Sequence, residues 1–214
     1  TNDMKNLKSF VTAVLLACAS FSQAADYTVN GNFITIPVKN QAVNGPKVLR
    51  LQVINDNIIR VQATPETALP QKESLIVLPQ STFAVFEISQ MGNTVDVKTA
   101  NIHALVDVNT GHVRFTDLNG NVILNEQAQD GKTFSRFTVP EREIGAGSIT
   151  EEQRNGWTWR AVFDSPDNEA FYGLGQHQAE ELNMKGKNED LFQYNTKVSV
   201  PFVISNRNYG ILWD

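Results

Sequence analysis

The stretch Phe171-Tyr172-Gly173-Leu174-Gly175-Gln176-His177-Gln178 sets two glycines one residue apart just ahead of a histidine, which is how a phosphate cradle begins. The rest of that pattern is missing. A dinucleotide fingerprint needs a third glycine at position 178, where this chain has Gln178, and a P-loop needs Gly-Lys-Ser/Thr after four spacer residues. Gly173 and Gly175 are therefore read as a tight structural bend that serves something other than a nucleotide. His177 follows the bend and opens a long polar stretch, so it is a candidate to face a ligand, the alternative being an ordinary exposed histidine. His103 and His112 have no ligand spacing to each other or to an acidic or cysteine cluster, so no metal site and no cofactor is expected.

Three acidic pairs, Glu151-Glu152, Glu180-Glu181 and Glu189-Asp190, each offer two carboxyls. Hydrolysis by a carboxylate pair needs groups facing across a bond, roughly 5 to 9 Å apart, whereas neighbours on a strand point oppositely. Solvated loop charge is the simpler reading. No Gly-x-Ser-x-Gly elbow occurs, and the one cysteine, Cys18, lies in the leader, so neither gives a nucleophile. Trp157 and Trp159 share a face of a predicted strand that Ala161 and Phe163 continue. Exposed, they would stack on a sugar ring; as an unbroken apolar row they read more simply as a core face.

The elements that must carry these residues are short strands separated by turn residues, the pattern of an all-β, antiparallel sandwich or barrel. Residues 48–53 and 58–63 flank Asn55-Asp56-Asn57; 82–89 and 94–99 flank Met91-Gly92-Asn93; 102–108 and 112–116 flank Asn109-Thr110-Gly111; and Leu118-Asn119-Gly120-Asn121 precedes Val122-Ile123-Leu124. Residues 125–147 read as a less ordered surface excursion holding one strand, 134–139. Further strands are expected at 157–163, 198–205 and 209–213, with 178–191 as the longest loop.

Residues 1–24 read as an upstream extension, Thr1-Asn2-Asp3, followed by an export signal: the basic Met4-Lys5-Asn6-Leu7-Lys8, an apolar run, then small residues at Ser22 and Ala24. Cleavage after Ala24 would leave a periplasmic or extracellular protein, residues 25–214. Leu15-Leu16-Ala17-Cys18 also resembles a lipoprotein box that would anchor the chain through Cys18, although Leu16 fits it poorly. No later run reaches the roughly 20 apolar residues of a transmembrane segment. The formal net charge of −5 becomes −6 once Lys5, Lys8 and Asp3 leave with the leader, and no basic run exists. Nucleic acid is thereby excluded as a partner. The strand-like 209–213 stops without a polar tail, which reads as truncation.

The ordered series Phe171 to Gln178, Leu182-Asn183-Met184-Lys185-Gly186-Lys187, Leu191-Phe192-Gln193-Tyr194-Asn195-Thr196 and residues 200–214 resembles the N-terminal domain of glycoside hydrolase family 31, the α-glucosidases, α-xylosidases and their relatives. Residues 110–124 resemble a hairpin placed earlier in the same domain. The resemblance implies a galactose-mutarotase-like β-sandwich that precedes a catalytic (β/α)8 barrel and lends a loop to its substrate pocket. It points to Gln176, His177, Gln193 and Asn195 as substrate-binding positions, with an α-linked oligosaccharide or polysaccharide and the downstream barrel as partners. Family members often carry a sugar-contacting aspartate where this chain has Lys197. Catalysis in the family is retaining, with both aspartates on the barrel, and no Trp-x-Asp-Met-x-Glu nucleophile motif occurs here. The expectation is an exported α-glycosidase portion that is inactive by itself; the alternative is a free-standing carbohydrate-binding sandwich.

Overall fold

The structure, a computed structural model, describes residues 24–71, 73–78, 85–145, 148–177 and 181–214, with backbone alone for 139–145 and 148–154. Every regular element among them is a strand, and every pairing is antiparallel. The first sheet is the meander β1 (Thr28–Asn30), β2 (Phe33–Pro37), β3 (Val48–Asn55) and β4 (Ile58–Thr64). The second is a five-stranded meander of β5 (Glu87–Met91), β6 (Thr94–Lys98), β7 (Ile102–Asp107), β8 (Val113–Asp117) and β9 (Val122–Asn125).

Alternation decides how these two sheets meet. Ile34 and Ile36 on β2, Leu49, Leu51 and Val53 on β3, Val95 and Val97 on β6, and Ala104 and Val106 on β7 recur at every second position, and all are fully buried in one cluster. Each Val, Leu or Ile so buried stabilises the sandwich by about 1.5–3 kcal/mol. The hairpins expected at Asp56-Asn57, Gly92-Asn93, Asn109-Thr110-Gly111 and 118–121 are all present. Of the strand expected to begin at 82, residues 82–84 lie outside the described residues, and β5 begins at Glu87.

Charge enters the interior beside β8. Lys132 and Glu126, both nearly fully buried, form an ion pair, and the same Glu126 Oε2 accepts a hydrogen bond from Val113 N at 2.8 Å. Lys132 Nζ also donates to Gly111 O at 3.1 Å, so its cation holds the turn before β8. Burial pushes Lys132 below the usual lysine range, with Glu126 opposing that shift.

Residues 125–147 depart from expectation. β10 (Lys132–Gly145) and β11 (Ser148–Ala161) form a two-stranded ribbon in continuous register from Lys132↔Ala161 to Gly145↔Ser148. At 135–138 and 155–160 the ribbon's side chains are exposed or half-buried, so it needs no apolar alternation there, and its sequence, with charges and glycines, reads as a loop. The core-face reading of Trp157 and Trp159 fails for the same reason. Trp159 is 51% exposed. Trp157 is covered by the Arg136 guanidinium, 4.5 Å above its ring, and its indole N–H donates to Glu66 Oε1 at 3.1 Å.

The third multi-stranded sheet, β12 (Phe171–Gln176), β13 (Val198–Ser205) and β14 (Tyr209–Leu212), completes the described chain. Arg60 and Ser74 both reach the Asp214 carboxylate, tying the end of this sheet to β4 and the segment after it. Arg207 donates to Val122 O at 2.9 Å and ties it to β9.

Candidate functional site

Residues 171–176, expected only as a bend, are a strand with a bend built into it. Gly173, Leu174 and Gly175 have φ of 113°, 64° and 104°, and the pairing of β12 with β13 shifts register between the two glycines. No other residue fits at the second glycine. A Cβ on Gly175 would stand 2.0 Å from Val198 O, and one on Gly173 would stand 2.7 Å from Phe202 O. The bulge places Gln176 opposite Val198, so residues 177–197 leave and return at neighbouring strand ends. Asn183 fastens the loop to the start of β12: its Oδ1 accepts from Phe171 N at 3.0 Å, and Met184 N donates to Phe171 O at 2.8 Å.

Three charged or ionisable side chains close this loop from within. His177, Glu189 and Lys197 have side chains only 9%, 18% and 14% exposed. Lys197 Nζ bonds Glu189 Oε1 and donates to Asp190 O at 2.6 Å. His177 Nε2 faces the Leu174 carbonyl at 2.7 Å, and since a carbonyl only accepts, that nitrogen carries the proton. Nδ1 lies 3.0 Å from Glu189 Oε1, a distance for charge attraction but not with the geometry of a hydrogen bond. The Lys197 hydrogen bond is the main cause that holds the Glu189 carboxyl below the usual range; burial opposes it, and the His177 and Lys197 charges assist. Glu189 is thus a paired group and not a solvated loop charge. Glu181, in contrast, pairs with Lys187 on the exposed surface. Glu180 and Gln178 lie outside the described residues, as do the side chains of Glu151 and Glu152.

The sequence candidates divide accordingly. His177 is turned onto Glu189, within the loop. Gln176, Gln193 and Asn195 are exposed. Gln193 and Asn195 flank Tyr194, which pairs with Lys197 through Tyr194 N to Lys197 O at 3.4 Å and Lys197 N to Tyr194 O at 3.0 Å. Sequence reasoning passed over Phe192 and Tyr194 as a pair. Their rings stack at 6.0 Å between centroids with 28° between planes, and they are 64% and 52% exposed. Aromatic residues two apart, interleaved with amides, were the available signal. Such a surface can cover the apolar face of a sugar while amides bond its hydroxyls.

Two concavities of the sandwich lie elsewhere. One of about 340 Å³ is bordered by Asn44, Gly111, His112 and Lys132, and another of about 350 Å³ by Arg114, Asp164 and Arg207. His103 bonds Asp96 at 2.9 Å and His112 Nε2 bonds Glu126 O at 2.7 Å. Among the described residues no group of three His, Cys, Asp or Glu side chains could hold a metal ion, and no helix is long and apolar enough to cross a membrane.

Residues 48–214 match the model of the glycosyl hydrolase 31 N-terminal galactose mutarotase-like domain. In three dimensions the chain is similar to the family 31 α-xylosidase of Xanthomonas citri, with a TM-score of 0.68 and 35% identity, covering 87% of this chain and 18% of that enzyme. In sequence it is 27% identical over 184 residues to an uncharacterised family 31 glucosidase of Pseudescherichia vulneris, spanning 33% of that protein's length. It is also 27% identical over 176 residues to an α-xylosidase of Saccharolobus solfataricus, spanning 22% of its length.

Proposed function

The chain belongs to glycoside hydrolase family 31, and on that premise we propose that it is the N-terminal β-sandwich portion of an exported, retaining α-glycosidase. Its substrates are terminal α-linked xylosyl or glucosyl residues of oligosaccharides or polysaccharides. The observation that carries this is the loop 177–197, which is held from within by charge and presents Phe192, Gln193, Tyr194 and Asn195 outward. Gln176 stands beside it at the end of β12. This loop is what the chain lends to the substrate pocket. The nucleophile and the acid/base come from the catalytic barrel that accompanies this domain in the enzyme, so the sandwich alone does not turn over substrate.

A second feature fits the same assembly. Val198, Val200, Phe202 and Ile204 share one face of β13, and the register sets Leu212 opposite Phe202 and Tyr172 opposite Ile204. All six are exposed. An apolar sheet face of this kind is suited to being covered by another domain. The Met4 to Ala24 leader supports export.

The test is to express the whole reading frame and to measure sugar release from aryl α-xylosides and α-glucosides, alongside residues 25–214 alone. The whole product is expected to release xylose or glucose and the isolated sandwich neither. A whole product without α-glycosidase activity, with an isolated sandwich that binds sugar, would favour a free-standing binding module.

A further inference from the structure

We propose that Lys197 is a positioning residue that clips the sugar-facing turn shut through Glu189 and Asp190, and that it does not itself touch the sugar. This rests on the assignment of the loop to the substrate pocket.

The geometry separates the two roles. Lys197 Nζ spends its hydrogen bonds inward, on the Glu189 carboxylate and on Asp190 O at 2.6 Å. Its side chain is 14% exposed, while the residues just ahead of it, from Phe192 to Thr196, are all exposed. The bond to Asp190 O makes residues 190–197 a closed ring, and the pairing of Tyr194 with Lys197 crosses that ring. Glu189 has His177 on its other side, so the clip also fixes where the loop departs from β12. The exposed residues 192–196 are amides, a hydroxyl and aromatic rings, all neutral. Such a surface suits an uncharged glycan and gains little from a direct lysine contact. A mainly buried ion pair with further hydrogen bonds is costly to break from either side, because the remaining partner is left uncompensated.

Two single variants of the full-length enzyme and their double mutant decide the matter. Lys197→Met and Glu189→Gln are each expected to raise KM on the order of tenfold with kcat nearly unchanged, since both loosen the same binding surface. The double mutant is expected to be no worse than either single one. Hydrogen exchange of the 190–197 segment is expected to quicken equally in all three, with β2, β3 and β6 keeping their protection as the control for folding. A KM that rises for Lys197→Met but not for Glu189→Gln would mean a direct sugar contact and overturn the inference, as would additive effects or unchanged exchange. If the wild-type enzyme releases no sugar, the assignment of function fails, and the exchange measurement still decides whether the clip exists.

Discussion

Tyr209 on β14 donates its hydroxyl hydrogen bond to Glu169 Oε1 at 2.7 Å, across 40 residues of chain, and Ser205 Oγ reaches the same oxygen at 2.5 Å. Glu169 is 2% exposed. One carboxylate just ahead of β12 thus gathers β13 and β14 and closes the sheet that carries the loop. Removing one donor leaves a buried acceptor short of a partner, so Tyr209→Phe should destabilise the fold by about 1–3 kcal/mol. Urea denaturation checks this.

The same cluster has a pH signature. Burial pushes the Glu169 carboxyl up, but the hydrogen bonds from Ser205, Tyr209 and Ser165 and the Arg207 charge together outweigh it and hold the group below its ordinary value of 4.5. A depressed carboxyl stabilises the fold above its unfolded pKa, and that stability is lost as pH falls through the folded one. Burial, then the bond to Glu169, pushes Tyr209 well above its ordinary 10.0. Its share is complete below pH 10 and is lost as pH rises beyond it. Melting temperature against pH should therefore fall at both ends, and in Tyr209→Phe the alkaline fall should shrink.

Gly175→Ala should break the seam between β12 and β13. Its φ of 104° alone costs on the order of 1–3 kcal/mol in any residue with a Cβ. The 2.0 Å approach to Val198 O adds a clash with backbone, which cannot rotate away. Gly186→Ala, in open space within the same loop, is the control and should cost about 1 kcal/mol. Thermal melting of the two variants compares them.

Lys132→Met strands the Glu126 carboxylate in the interior and should cost about 3–5 kcal/mol. Adding Glu126→Gln to it should recover part of the loss, because an amide still accepts from Val113 N without a buried charge. Denaturation midpoints of the two variants test this. If the double variant were the weaker, a charged acceptor for Val113 N would be worth more at that place than a neutral one.

Trp159→Ala should change stability by only about 0.5 kcal/mol, as expected of an exposed side chain on an uncovered ribbon. Trp157→Ala should cost more, about 1–2 kcal/mol, since it removes the surface under Arg136 and the donor to Glu66. Equal effects would contradict the ribbon's packing.

What could be read in the sequence follows from how local each cause is. Asp56-Asn57 and Gly92-Asn93 announce their hairpins because turn chemistry resides in the turn, whereas the strand holding Ile34 and Ile36 was not read from the sequence although its apolar residues alternate with period two. The ribbon 132–161 carries no such period, since its described side chains at 135–138 and 155–160 lie exposed or half-buried. The family motifs located the loop, but not how it is held. His177, Glu189 and Lys197 meet only because the Gly173-Gly175 bulge returns the chain beside its own start, and no spacing rule joins those positions. Lys197, which looked like a departure from the family pattern, takes its meaning from Glu189.

The ribbon formed by β10 and β11 has a further consequence. Fourteen residues at about 3.4 Å each make an arm roughly 48 Å long. Beyond Phe134, whose N–H donates to Asn44 O, its pairing is spent on a single partner per strand, so each strand turns one row of amides and carbonyls toward whatever lies alongside. The arm is a ready template for another extended chain. A preparation of residues 25–214 should be limited first by this edge, and clumping, before any loss of the buried Ile and Val layer, should mark the end of its useful concentration.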